Sequence, residues 1–290
     1  MNEFTEDYPV KNFPMKFKWY TGDWFELFEK QVDLIQSDVK RALMDDRLVV
    51  YLSCPLSSRG GGHYITNVEI ARHTEQRIMK EWGTGFWVLN PAQYQMESKE
   101  GTGLIEAHTH LLKLEKNIDI DLAKLKKEKP LNGGDYMRMW TRVLVEDGFK
   151  NLGDHFSAYY FLGPSNVRDF FTLGGSIDLT SGVEEYFSRK YCTDPIFHKY
   201  FSEQEDGTPL SAEEWENRRK EFFRFYTIRA SATYSKGCHD EWNIWETLNG
   251  LRLKDSSFGI GSQISGYFDG KQINLGSAET KVSPGYAIDN

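Results

Sequence analysis

A polar, glycine-rich run, Ser57-Ser58-Arg59-Gly60-Gly61-Gly62-His63, follows an apolar stretch that ends Tyr51-Leu52-Ser53-Cys54-Pro55. Successive glycines let backbone N–H groups approach an anion, Arg59 offers a two-pronged partner for phosphate, and His63 adds a donor. The same glycines equally suit a loop that moves as a lid. Four acids stand where a carboxylate could act. Asp135 follows Asn132-Gly133-Gly134, Glu184 and Glu185 follow Ser181-Gly182, and Glu241 follows Ser235-Lys236-Gly237. Backbone donors of a first helical turn keep such a group ionised and oriented, although the commoner role of an acid there is to cap the helix or complement its dipole. Two carboxylates held close would do more, because like charges raise one pKa and poise it for proton transfer.

Other groups are less suited to chemistry. His108 and His110 are two positions apart in a helical stretch and point away from each other, a poor metal pair. Cys54 beside Pro55 reads as a nucleophile or as a small buried residue. Gly60-Gly61-Gly62 lacks the Gly-Lys-Ser/Thr of a nucleotide-binding P-loop and is not a dinucleotide fingerprint. No metal and no cofactor is expected.

The elements that must position these groups follow from periodicity. Leu48–Ser53, a helix beginning near Asn67 and Phe86-Trp87-Val88-Leu89 form one β-α-β unit, with Asn90-Pro91 ending its second strand. Ligands of open α/β sheets bind at carboxyl ends of strands, where the glycine-rich loop lies and where Tyr51, Ser53 and Asn90 are expected to line the crevice. Phe25, Phe28, Val32, Ile35, Val39 and Leu43 mark an amphipathic helix before the unit. A long helix is expected from Gly103 to Lys129, stopped by Pro130, then a helix after Asp135, a strand at Ser157–Leu162 and a helix from about Thr180. Phe222–Ile228, rich in aromatics, reads as a fourth strand ahead of a helix opening at Ser235. Residues 1–46 form an arm and helix, 47–254 the α/β domain with an acidic insertion near 203–216, and 255–290 a Gly/Ser-rich tail with one hairpin.

Composition narrows the class. The 290 residues carry a formal net charge of -8, which argues against a nucleic-acid binder, since that needs a basic stripe to displace counterions. Three cysteines, Cys54, Cys192 and Cys238, lack metal-ligand spacing and suggest neither a disulfide framework nor a zinc site. No apolar run approaches the ~20 residues that cross a bilayer, and Met1–Asp7 has no basic leader, so a cytoplasmic protein is expected.

Tyr51-Leu52-Ser53-x-Pro55, Gly85–Pro91 and Gly134-Asp135-Tyr136 resemble, in order, motifs of the nucleoside 2-deoxyribosyltransferase-like family over about residues 47–190. The resemblance implies a three-layer, Rossmann-like α/β fold with a mostly parallel sheet flanked by helices. It also implies cleavage of a nucleoside N-glycosidic bond, with a glutamate at the anomeric carbon, Asp135 as the second carboxylate and Tyr51 holding the glutamate by its hydroxyl. The family places its glutamate four residues beyond a Ser-Gly or Ser-x-Gly glycine after the third strand. Ser181-Gly182 has the order but the wrong spacing to Glu184 and Glu185; Gly237 has the spacing to Glu241 but follows the expected fourth strand. Order favours Glu185 or Glu184, and Glu241 stays open. The loop Ser57, Arg59, Gly61, Gly62 and His63 favours a nucleoside 5′-monophosphate over a nucleoside. Hydrolysis, transfer to a second base and a silent nucleotide-binding module all fit. A homo-oligomer is expected from the family and from an arm whose Phe13, Phe17, Trp19, Tyr20 and Trp24 offer much apolar surface.

Overall fold

The computed structural model describes residues 4–96, 99–145, 152–204, 206–255, 262–276 and 282–288. The chain opens with an antiparallel hairpin, β1 (Phe4–Asp7) and β2 (Phe17–Tyr20), followed by helix α1 (Asp23–Met44). Trp24, Leu27, Phe28, Val32, Ile35 and Val39 recur every three or four residues along α1 and are buried, as an amphipathic helix on a sheet requires. The arm is not a free apolar surface. Phe13, Phe17, Trp19 and Trp24 are buried in this chain's own core, so they lend no support to an oligomer.

Among the described residues the main sheet has five strands in the order β4-β3-β5-β6-β7: β3 (Leu48–Ser53), β4 (Phe86–Leu89), β5 (Phe156–Phe161), β6 (Ser265–Phe268) and β7 (Lys271–Ile273). The first four are mutually parallel, and β7 returns antiparallel to β6. Strand residues alternate between faces, and β3 shows both faces covered. Val49 and Tyr51 enter one apolar cluster, and Val50 and Leu52 enter the other. The first cluster is closed by α1, α3 (Lys99–Lys116), α5 (Gly133–Val145) and α10 (Lys236–Lys254). The second is closed by α2 (Tyr64–Trp82), α6 (Pro164–Phe171), α7 (Leu179–Thr193), α8 (Pro195–Ser202) and α9 (Ala212–Arg224). This is an α/β protein with a mixed, mostly parallel sheet flanked by helices.

Three expected elements differ. The stretch Gly103–Lys129 forms two helices, because Asn117 turns into the left-handed region (φ 56°) and Asp121 then caps α4 (Leu122–Glu128), accepting from the Lys124 N–H. Phe222–Ile228 is not a strand. Phe222, Phe225 and Tyr226 are buried at helical spacing, and the chain runs from α9 straight into a π-helical turn, Phe225–Arg229. Burial of one helical face there outweighs the strand preference of the aromatic side chains. The expected tail is also part of the sheet, since its hairpin supplies β6 and β7. Among the described residues no helix is long and apolar enough to cross a membrane.

Candidate functional site

From β3 the chain crosses through α2 to β4 on one side, then returns past β3 to β5 and on through α10 to β6. Strand order thus reverses between β3 and β5, and a crevice opens beyond their carboxyl ends. A cavity of about 380 Å³ occupies that place, lined by Cys54, Ser57 and Arg59 after β3, by Trp140 on α5, and by Cys238 and Glu241 on α10. Ser235 caps α10 by accepting from the Cys238 N–H. Cys238, Glu241, Trp242 and Trp245 then fall on its buried face, so the tryptophans anchor the helix in the core while Glu241 meets the end of β3.

Glu241 is 5% exposed. The Tyr51 hydroxyl donates to its Oε1 at 2.6 Å and the Ser53 hydroxyl to its Oε2 at 2.5 Å. Both donors lie on one face of β3 because they are two residues apart. Burial is the largest influence on the carboxyl and lifts its pKa to about 7; the two hydroxyl bonds oppose this, and neighbouring Asp240 adds to it. Burial also pushes the Tyr51 hydroxyl well up, with the Glu241 charge adding to it, so Tyr51 remains a donor at neutral pH. Trp140 holds the Tyr51 ring in place, with centroids 5.5 Å apart. The result is an oriented carboxyl group poised near neutrality beside a cavity of small-ligand size.

The other expected site residues divide clearly. Arg59 and Ser57 reach the cavity, and among the described residues no acid pairs with the Arg59 guanidinium. The Ser57 hydroxyl accepts from the Arg59 N–H and shapes the loop. Gly61 and Gly62 have a packing role: Gly61 lies at φ 99°, and a Cβ there would collide with the Glu221 carbonyl of α9, while one on Gly62 would crowd Phe225. His63 is buried as the N-cap of α2, accepting from the Thr66 N–H, with its pKa lowered to about 4, chiefly by burial. Asn90 accepts from the Ala92 N–H and donates to Glu75 at 2.7 Å, which fixes the turn after β4.

Asp135 is a structural tie. Its carboxylate accepts from the Tyr20 N–H at 2.7 Å and from the Asn132 N–H at 3.0 Å, joining β2 to the start of α5. Glu184 and Glu185 lie on the exposed face of α7, where Glu184 pairs with Arg219 at 3.4 Å and Glu185 accepts from the Ser176 hydroxyl. Neither lines the cavity. Glu184→Gln and Glu185→Gln should each change stability by less than about 0.5 kcal/mol, since exposed pairs contribute little. Denaturant unfolding and a turnover assay check both variants, and neither readout should move.

Three contributors escaped sequence reasoning. Asn132 accepts from the Gly134 and Asp135 N–H groups through Oδ1, and its buried Nδ2, at the cavity, has no partner among the described residues. Tyr286, from a segment remote in sequence, forms part of the wall, and Asp240 holds that segment. Asn132-Gly133-Gly134 was legible as a turn; nothing local marks Tyr286 or Asp240. Among the described residues no group of three His, Cys, Asp or Glu side chains could hold a metal ion. No protein-family model matches the chain, and neither curated proteins nor solved structures compared with it give a match.

Proposed function

We propose that this protein hydrolyses the N-glycosidic bond of a nucleoside 5′-monophosphate, with Glu241 as the carboxylate that acts at the anomeric carbon. One observation carries the reading: Glu241 is buried at the switch point of a mostly parallel sheet, with each carboxylate oxygen held by a hydroxyl of β3, Tyr51 and Ser53. The motif resemblance supports it further. The helical nature of Phe222–Ile228 supports the Gly237 spacing, because α10, like α7, lies between β5 and β6, the third and fourth parallel strands in chain order. Ser235-Lys236-Gly237 and Glu241 then have both the order and the spacing that the nucleoside 2-deoxyribosyltransferase-like pattern asks for. The parallel order with helices on both faces agrees with a Rossmann-like arrangement.

In this reading the ionised Glu241 bonds to C1′ as the C1′–N bond breaks, and the base leaves with the electron pair and takes a proton from water. A second water cleaves the glycosyl ester, returning the carboxylate and releasing the sugar phosphate, and its proton neutralises the hydroxide left when the base was protonated. Tyr51 and Ser53 aim the nucleophile, and Trp140, Tyr136 and Met137 of α5 give the sugar and base an apolar wall. Asp135, tied to β2, supplies no second acid to this scheme. A second base in place of water would make the same site a transferase.

Arg59 is assigned the phosphate, as a guanidinium at the cavity with which no acid among the described residues pairs. Arg59→Gln should raise KM for a nucleoside monophosphate by roughly 10- to 100-fold, about the worth of one charge-assisted hydrogen-bond pair, and leave the unphosphorylated nucleoside unchanged. Initial rates of base release for the two substrates give the comparison. Equal effects on both would remove the phosphate role.

A further inference from the structure

The segment 282–288 is bound to the cavity region by a set of contacts that exceed what a surface loop needs. Asp240 accepts from three successive amides: Gly285 N–H at 2.9 Å, Tyr286 N–H at 2.6 Å and Ala287 N–H at 3.3 Å. Ala287 also bridges antiparallel to Phe17, and the Ile288 N–H donates to the Lys16 carbonyl at 2.8 Å. Asp240 is fully buried, so its carboxylate is sustained by those amides and not by water. Glycines make the approach possible. A Cβ on Gly285 would collide with the Lys236 carbonyl at the start of α10, and one on Gly133 would collide with the Tyr286 ring. The ring therefore rests on the first turn of α5 and closes one wall of the cavity that holds Glu241.

We infer that residues 282–288 form a strap that closes this cavity and sets what it admits, with Asp240 as its positioning residue and Tyr286 as its ligand-facing wall. The inference rests on the reading of this cavity as the substrate site, and its test reads access to the cavity without turnover. Two thiols supply the probe. Cys54 and Cys238 are buried and line the cavity, whereas Cys192 is exposed and serves as internal reference.

Alkylation of the full-length protein by iodoacetamide, followed by peptide mass spectrometry, should modify Cys192 well before Cys54 or Cys238. Tyr286→Ala should raise the rates at Cys54 and Cys238, relative to Cys192, by roughly tenfold or more, a change in the opening equilibrium of the kind that local protection measures. Tyr286→Phe, which keeps the ring, should retain the protection. In Asp240→Asn the oxygen that accepts from the Tyr286 amide becomes an NH2 donor, so that amide should lose hydrogen-exchange protection and the two thiols should open; in Tyr286→Ala the amides of 285–287 should stay protected. Unchanged thiol ratios in Tyr286→Ala, or unchanged exchange at the residue 286 amide in a folded Asp240→Asn, would overturn the inference. Should Asp240→Asn fail to fold, Tyr286→Ala decides alone, since it removes one half-buried ring. A protein that releases no base but shows the expected thiol pattern would sink the proposed reaction and leave the strap standing.

Discussion

Glu241→Gln should lower base release by at least roughly a thousandfold, about 4 kcal/mol of transition-state stabilisation, while raising the stability of the folded chain above neutral pH. The two effects share one cause. The carboxyl titrates near pH 7 in the fold against 4.5 as an ordinary glutamate, because burial disfavours its charge more than the Tyr51 and Ser53 bonds favour it. The folded state therefore holds an extra proton between those pH values, and stability falls as pH rises through them. By about pH 8 the full penalty is present, roughly 3 kcal/mol for a shift of this size. Glutamine carries no charge and escapes it, at the cost of turning one hydroxyl to accept from its amide. Thermal unfolding should show the variant ahead of the native protein at pH 8.5, with the advantage shrinking towards pH 5. A destabilised variant at pH 8.5 would mean that the charge is compensated by something other than the two hydroxyls.

Tyr51→Phe and Ser53→Ala should each shift the acidic limb of the pH–rate profile upward. A hydrogen bond that favours the carboxylate lowers its pKa, so removing either one raises it further above 7. Hydrogen bonds to charged groups contribute about 1.5–3 kcal/mol, which corresponds to an upward move of roughly one to two pH units. The proposed reaction needs the ionised form, about half of the native protein at pH 7, hence the loss there should be roughly 5- to 50-fold and should be recovered in large part at pH 9. The variants should also destabilise the charged state when the pH is high, opposite in sign to Glu241→Gln. A pH-independent loss would point to displacement of the carboxylate, not to a change in its ionisation.

The legible parts of the fold were those governed by local pattern. Leu48–Ser53 and Phe86–Leu89 are short apolar runs with turn residues on both sides, and the α1 stripe repeats every three or four residues; both signals are contained in a few neighbouring positions. The cavity at the end of β3 was legible for the same reason, and so was Tyr51 as a residue whose hydroxyl bonds to a glutamate. Which glutamate was not legible. The choice turned on whether Phe222–Ile228 is a strand, and its aromatic content favoured that reading. Only the burial of Phe222 against Phe187, Phe197 and Tyr226 shows the segment as a helical face. Asp135 misled in another way. A capping acid and a catalytic acid look alike in sequence, and the difference lies in the Tyr20 N–H that β2 brings to it from 115 residues away. The glycines at 61 and 62 suggested anion binding, while their positions are dictated by the backbone of α9 and the Phe225 ring. Long-range contacts of this kind leave no periodic trace.

The most direct measurement is chromatography of the purified protein after incubation with ribo- and deoxyribonucleosides and their 5′-monophosphates, scoring free base. The proposed chemistry predicts release from the monophosphates well above that from the nucleosides, with the Glu241→Gln control silent. Absence of release from every member, with a second base added as acceptor, or release that survives in the control, would contradict it.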